Sequence, residues 1–483
     1  MPDPILHAFD RLVRRDPLAA LVASPARRAT AGDVDALARA AASRLAALRL
    51  PAGAVVALAA ANGPGFLASF LAVRRAGLAA LMLDSQTPEP EHRRIAHALG
   101  ASALLRCRAG WPAGPEDWTA TADPEPSHAL TDLAGIAVVK LTSGSTGLPR
   151  GIATPAEALV ADDAALAVSM GFRDDDRLLA AVPLSHSYGL ASLAMPALMR
   201  GTLLVTPEEG GLLDPLDAAA RTGATVFPTA PAYLDALLRL SEPPPLPPTL
   251  RLVVTAGAPL SPATAVRFRE TFGLAVHVFY GASECGGICY DREGSAGERG
   301  TVGTPVEGVR VTLEPLPGRE DEEGGVVTVR SASVASGYLP DPDERLADGR
   351  FAGGDLAVWS DGSGGELALR GRLDDLVNIK GKKVNPREVE TVLRDLPGVE
   401  DVAVLGVPWP DRSGERLRAV VACAAGRLAP EDVVSWCRPR LAPHKVPRSV
   451  LLVRELPRTA RGKLDRRELS ALAETAAEER CEP

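Results

Sequence analysis

The sequence predicts an α/β protein: a large N-terminal domain of parallel-rich sheets covered by helices, plus a small α+β C-terminal domain. Three observations carry this. At 483 residues the chain is too long for one compact core. Strand-length apolar runs without apolar/polar alternation are interleaved with helical patterns, as in parallel sheets covered on both faces. After about residue 372 that grain changes.

In chain order, Thr30 to Asp33 has capping-box spacing, and Val34, Leu37, Ala38, Ala41, Leu45 and Leu48 recur at helical intervals. VVALAA (from Val55), a helix through GFLASFLAVRRAG and LAALML (from Leu78) read as strand, helix, strand. The alternation returns in GATVFPTA then PAYLDALLRL, in LRLVVTAG then SPATAVRFRETF, and in AVHVFY. SEPPPLPPT (from Ser241) and DGSGG (from Asp361) read as surface loops, and the acidic REDEEGG as a solvated turn. Beyond the change, Asn385-Pro386-Arg387-Glu388 supplies a cap, a first-turn proline and an acid for a helix through VETVLRDL. VEDVAVLGV, RLRAVVAC and SVLLVREL read as strands, and DVVSWCRPRL as a helix.

Apolar residues make up 46% and charged residues 24%, which excludes collagen, disorder and a small disulfide scaffold. Lys plus Arg is 53 and Asp plus Glu is 61, so the net charge of −8 argues against a nucleic-acid partner. The apolar stretch Gly189 to Met199 is too short for a membrane span, and the N-terminus lacks the pattern of a secretory signal. None of the six cysteines forms CxxC. Cys285 and Cys289 lack a matching second pair, so free buried thiols in a reducing, cytoplasmic compartment are expected.

The chemistry concentrates in AVVKLTSGSTGLPRG, Ala137 to Gly151. A strand runs into a loop of Ser143, Gly144, Ser145, Thr146 and Gly147. Glycines let backbone N–H groups approach an anion, hydroxyls add donors, and Arg150 supplies a permanent cation. The spacing is not that of a P-loop. TSGSTGLPRG resembles the phosphate-loop signature of the adenylate-forming superfamily. YGASE (from Tyr280), GRFAGGD (to Asp355), GRLDDLVNIKGKKVNPREVE (from Gly371) and PRTARGKLDRREL (from Pro457) resemble its further signatures in the expected order. PLSHSYG (from Pro183) is similar to a motif of acyl-CoA ligases.

The resemblance implies an acyl- or aryl-CoA synthetase. A carboxylate attacks the α-phosphorus of ATP, giving an acyl adenylate and pyrophosphate; the thiol of CoA then takes the acyl group and AMP leaves. It implies a boundary as well: an AMP-binding domain over residues 1–372, a hinge near 373–374 at Asp374, and a mobile domain over 375–483. Lys463 would bridge carboxylate and α-phosphate, and Glu284 would hold Mg²⁺. Thr142, the loop residues, Arg150, Gly281 and Ser283 would lie along the phosphates. Tyr280 would stack on adenine, and Asp355 and Arg372 would bind ribose. His186 would stand between the carboxylate pocket and thiol entry, or be a hydrogen-bonded structural residue. Gly381 would line the pantetheine path, and Lys382 and Lys383 would meet CoA phosphates or be solvated charge. Two departures stand out: Arg150 replaces the usual lysine, and Gly353-Gly354 a threonine-glycine pair.

The acyl pocket is expected near Ser187, Tyr188, Tyr233, Gly257 and Cys285, and the acid is expected to be a fatty or aromatic monocarboxylate, the fatty acid first. Alternatives are a ligase that loads a separate acyl carrier protein, an amino-acid adenylating domain and a catalytically dead binding paralogue. PLSHSYG disfavours the second, and the presence of Lys463, Glu284, Asp355 and Arg372 the third. No motif reveals the oxygen chemistry of a luciferase.

Overall fold

The computed structural model describes residues 3–122, 133, 135–142, 150–208, 210–316, 323–361, 365–373, 376–379, 382–408, 415–441, 444–459 and 464–475. The chain divides into two compact units. One comprises Met1–Thr312, Thr328–Gly353 and Trp359–Leu367; the other comprises Leu313–Val327, Gly354–Val358 and Ala368–Pro483.

The first unit is built on two sheets. In the seven-stranded sheet the order is Gly337–Leu339, Arg150–Pro155, Ile136–Thr142, Ala79–Leu83, Val55–Ala60, Ala103–Cys107, Trp118–Ala122. Its four central strands, Ile136–Thr142 to Ala103–Cys107, are parallel. Every residue of Val55–Ala60 and of Ala79–Leu83 is buried, which is why these stretches carry no alternation. The helix Pro64–Arg75 between them buries each residue from Pro64 to Val73. The capping box forms as expected: the Thr30 side chain accepts from the Asp33 N–H, and Asp33 reaches back to the Thr30 N–H.

The nine-stranded sheet runs Thr304–Pro305, Gly286–Tyr290, Val276–Ala282, Leu252–Thr255, Val226–Thr229, Arg177–Leu179, Leu203–Val205, Ala20–Ala23, Arg28–Thr30. It too is parallel at its centre. Both sheets finish in antiparallel edges that the alternation of strands and helices does not reveal. For Ala20–Ala23 with Arg28–Thr30 and Val276–Ala282 with Gly286–Tyr290 the reason is local: strands joined by a short connection turn back on themselves, whereas a parallel neighbour needs a crossover.

In the second unit Asp401–Pro408, Glu415–Ala422 and Ser449–Val453 form a sheet, the first pair antiparallel and the second parallel. Alternate residues serve opposite faces. Val402, Val404 and Val421 pack with Val389 and Leu393 of the helix Pro386–Arg394 and Val433 of the helix Pro430–Cys437. Ala403, Val407 and Val420 pack with Leu469 and Ala473 of the helix Arg466–Thr475. Cys107, Cys285, Cys289, Cys423 and Cys437 are buried free thiols. Among the described residues no helix is long and apolar enough to cross a membrane.

Candidate active site

The hairpin of Val276–Ala282 and Gly286–Tyr290 carries most of the assembled residues. Its turn presents Ser283 and Glu284 and turns Cys285 into the core, fully buried. Burial first, then the Glu284 and Asp162 carboxylates, pushes the Cys285 thiol well up, so it is a neutral wall rather than a nucleophile. Tyr280, half-buried, lies within the first strand of the hairpin and pairs with Cys289, and the exposed Gly281 with Gly287.

A second element reaches the same turn. Ser185 and His186 lead into a helix that runs Ser187–Gly189, loosens into a π-type turn over Leu190–Ala194, and tightens again over Met195–Arg200. Single π turns of this kind often sit at functional sites. Gly189 is needed because a Cβ there would lie 2.1 Å from the Pro183 carbonyl oxygen. This close return places the Ser187 hydroxyl to donate to Ser283 Oγ at 2.7 Å. Tyr188 packs on Phe279 (ring centroids 5.6 Å) and donates its hydroxyl to the Val254 carbonyl at 3.0 Å. His186 Nε2 lies 3.2 Å from Asp84 Oδ2, at the end of the strand Ala79–Leu83.

Glu284 is the start of a chain of contacts. Its Oε1 accepts the Tyr338 hydroxyl at 3.0 Å. Arg150 lies over the Tyr338 ring, 4.1 Å from the centroid, and donates to Asp343 Oδ2 at 3.2 Å and to the Asp341 carbonyl at 2.9 Å. Burial, then the Glu284 carboxylate, pushes the Tyr338 phenol up; it keeps its proton and stays a donor. Arg345, with Arg150 beside it, holds the Asp343 carboxyl well below the usual range. The Arg150 guanidinium therefore faces the 338–343 segment in this structure.

Not every expected residue joins this group. Tyr233 donates to the Leu212 carbonyl at 2.8 Å and packs edge-on against Phe227, which ties it to the neighbouring core. Gly257 is exposed just beyond the strand Leu252–Thr255, in the left-handed region at φ 84°. Thr142 closes its strand, paired with Arg150. In the second unit Asp355 Oδ1 and Arg372 approach to 3.6 Å. Ser143, Gly144, Ser145, Thr146, Gly147, Asp374, Gly381 and Lys463 lie outside the described residues, as do the side chains of Lys382 and Lys383.

Sequence reasoning missed Asp84, Lys140, Tyr338 and Asp343. Only Lys140 left a signal, a lone charge in the apolar run AVVKL. Glu284 offers one carboxylate, a hard oxygen donor of the kind Mg²⁺ takes. Among the described residues no cluster of three metal-ligating side chains occurs, and Mg²⁺ characteristically takes one or two carboxylates and fills its remaining positions with phosphate and water.

Comparison with known proteins supplies the family. The family model described as AMP-binding enzyme matches residues 9–339, and the AMP-binding enzyme C-terminal domain matches residues 388–463. A feruloyl-CoA synthase from Amycolatopsis sp. is 34% identical over 394 residues, covering 78% of this chain and 76% of that protein. A long-chain-fatty-acid–CoA ligase from Mycobacterium tuberculosis is 27% identical, covering 90% of this chain and 92% of its own. The crystal structure of ATP-bound MatB from Rhodopseudomonas palustris superposes with a TM-score of 0.81 at 25% identity, covering 98% of this chain and 99% of that one. The chain belongs to the AMP-binding enzymes, as an adenylate-forming enzyme of the acyl- or aryl-CoA synthetase type.

Proposed function

We propose that the chain activates an aromatic or fatty carboxylic acid with ATP and transfers the acyl group to CoA, and that the aromatic acid comes first. The carboxylate oxygen attacks the α-phosphorus, the bond to pyrophosphate breaks, and an acyl adenylate forms. The CoA thiol, losing its proton, then attacks the activated carbonyl and AMP leaves. The observation that carries this reading is the convergence of Ser187, Ser283 and Glu284 on one hairpin turn, in a chain both of whose parts match the family.

Each residue has a task in this scheme. Bringing an anion to a polyanion demands fixed positive charge and donors, which Lys463, Arg150 and the loop from Ser143 to Gly147 supply. The Ser283 and Ser187 hydroxyls, 2.7 Å apart, would donate to phosphate or carboxylate oxygens. Mg²⁺, when bound, offsets phosphate charge, and Glu284 would hold it, with Tyr338 fixing the carboxylate. Asp355 accepts from ribose hydroxyls and Arg372 donates to them. Tyr280 stacks on adenine, and His186, oriented by Asp84, stands at the thiol entry. The Tyr188–Phe279 aromatic pair follows Ser187 and leads into the Ser283 turn, and with the feruloyl-CoA synthase likeness it supports an aromatic acid.

The test is pyrophosphate release across aromatic and fatty acids, with and without CoA. Fast release and CoA ester formation with a hydroxycinnamate-like acid are expected. Turnover of long-chain fatty acids alone would move the assignment to them. Loading of a carrier protein with CoA ester formation at background would replace the acceptor.

A further inference from the structure

Lysine is seldom fully buried without a partner. Lys140 sits in the middle of the apolar strand Ile136–Thr142 and is 5% exposed. Asp162, on the helix Ala156–Ser169, is 4% exposed and interrupts a stripe of buried Leu159 and Leu166. Two buried charges in apolar elements cost stability unless the geometry uses them.

Both side chains end on the same stretch of backbone. Lys140 Nζ donates to the Ser283 carbonyl at 3.2 Å. Asp162 Oδ1 accepts from the Gly287 N–H at 2.9 Å. The turn wraps the carboxylate closely: a Cβ on Gly286, whose φ is 72°, would lie 2.4 Å from Asp162 Oδ1. Between the two contacts the chain is held again, where the Glu284 carbonyl accepts from the Ala335 N–H at 2.8 Å and the Cys285 carbonyl from Ser333 Oγ at 2.7 Å. Burial lowers the ammonium pKa, while Asp162, Cys285 and Glu284 oppose that shift. Burial likewise raises the Asp162 pKa, against Gly287 and Lys140.

We propose that Lys140 and Asp162 are positioning residues for adenylation, two buried side chains that clamp the two ends of the Ser283–Gly287 turn and so fix the Ser283 hydroxyl and the Glu284 carboxylate. The inference rests on the reading of that turn as the phosphate-side turn. An apolar residue at 140 would leave the Ser283 carbonyl without this donor, and the peptide between Ser283 and Glu284 would lose that restraint. The lysine's charge alone is not what the turn requires; its reach to one carbonyl is.

The experiment compares Lys140→Met, Asp162→Asn and the double variant with Glu284→Gln. Thermal unfolding, calorimetric AMP binding without Mg²⁺ and pyrophosphate release are measured for each. Lys140→Met strands a buried carboxylate, so a lowered melting temperature is expected. The double variant removes both charges, and Asp162→Asn keeps an oxygen for the Gly287 N–H, so stability should return towards the parent. Adenylation should not return: kcat stays about tenfold or more below the parent, AMP affinity falls, and the KM for the acid changes little. Recovery of both stability and kcat in the double variant, with Glu284→Gln inactive, overturns the clamp and leaves the turn's role standing. Parent-like kcat in Glu284→Gln overturns the reading of the turn itself.

Discussion

At the scale of single residues, the demanding step is the approach of two anions. Lys463 resembles the family cation that bridges them, so Lys463→Ala should slow adenylate formation on the order of a hundredfold or more. The thiol step on preformed acyl adenylate should survive, since no second polyanion is then brought in. Pyrophosphate release from the purified variant measures the first step, and CoA ester formation from synthetic adenylate the second. Near-normal release would remove Lys463 from the mechanism. Tyr338 offers a finer test. Tyr338→Phe deletes only the hydroxyl that reaches Glu284 Oε1, leaving the ring under Arg150. One donor to a charged acceptor is worth about 1.5–3 kcal/mol of stability, so the melting temperature should fall modestly, and the adenylation rate should fall about tenfold or more because the carboxylate is no longer held. An unchanged rate across a Mg²⁺ titration would show that Glu284 is oriented without it.

At the scale of elements, the helix Pro386–Arg394 depends on its cap. Asn385 accepts from the Arg387 N–H at 3.1 Å and donates to the Arg370 carbonyl at 2.5 Å. Asn385→Ala should cost about 1–2 kcal/mol for the cap alone, and the unpaired carbonyl adds to it. Asn385→Asp keeps the cap oxygen and loses the donor, so it should fall between the two. Hydrogen exchange of that helix is the direct readout, because a chain of two units need not unfold in one step. Equal protection in all three proteins would show that packing of Val389 and Leu393 alone holds the helix.

This cap, like that at Thr30, was legible in the sequence because it is made within four residues. The fully buried strands Val55–Ala60 and Ala79–Leu83 were legible for the same local reason, their composition. The strand Gly337–Leu339 was not. Its three residues carry no pattern, and its antiparallel partner, Arg150–Pro155, lies far away in sequence. Tyr338 was lost with it, and so was the contact that orders Glu284. Lys140 was visible as a charge in an apolar run, but the carbonyl it serves is on another strand's turn, which no spacing reveals. The motifs located Ser283 and Glu284; the groups that hold them come from long-range pairing.

At the scale of the whole molecule, the reaction needs two chemically different arrangements around one acyl adenylate. Adenylation is proposed to use Lys463, whereas thiol attack requires a path for pantetheine, which Gly381, Lys382 and Lys383 are proposed to provide. Both sets lie in sequence after Asp374, so a change of backbone angles there is the economical way to exchange them. Asp374→Pro fixes φ near −65° at that residue. The proposed hinge then holds one arrangement and samples the other poorly. Adenylation should persist, with pyrophosphate released in a single burst, while CoA ester formation falls steeply. Rapid-quench measurement of the burst and chromatography of the CoA ester separate the two half-reactions, and circular dichroism checks the fold. Equal loss of both steps in a folded protein, or full retention of both, would place the hinge elsewhere in the chain. A selective loss of the second step would show that turnover depends on a backbone rotation rather than on side chains that touch the substrates.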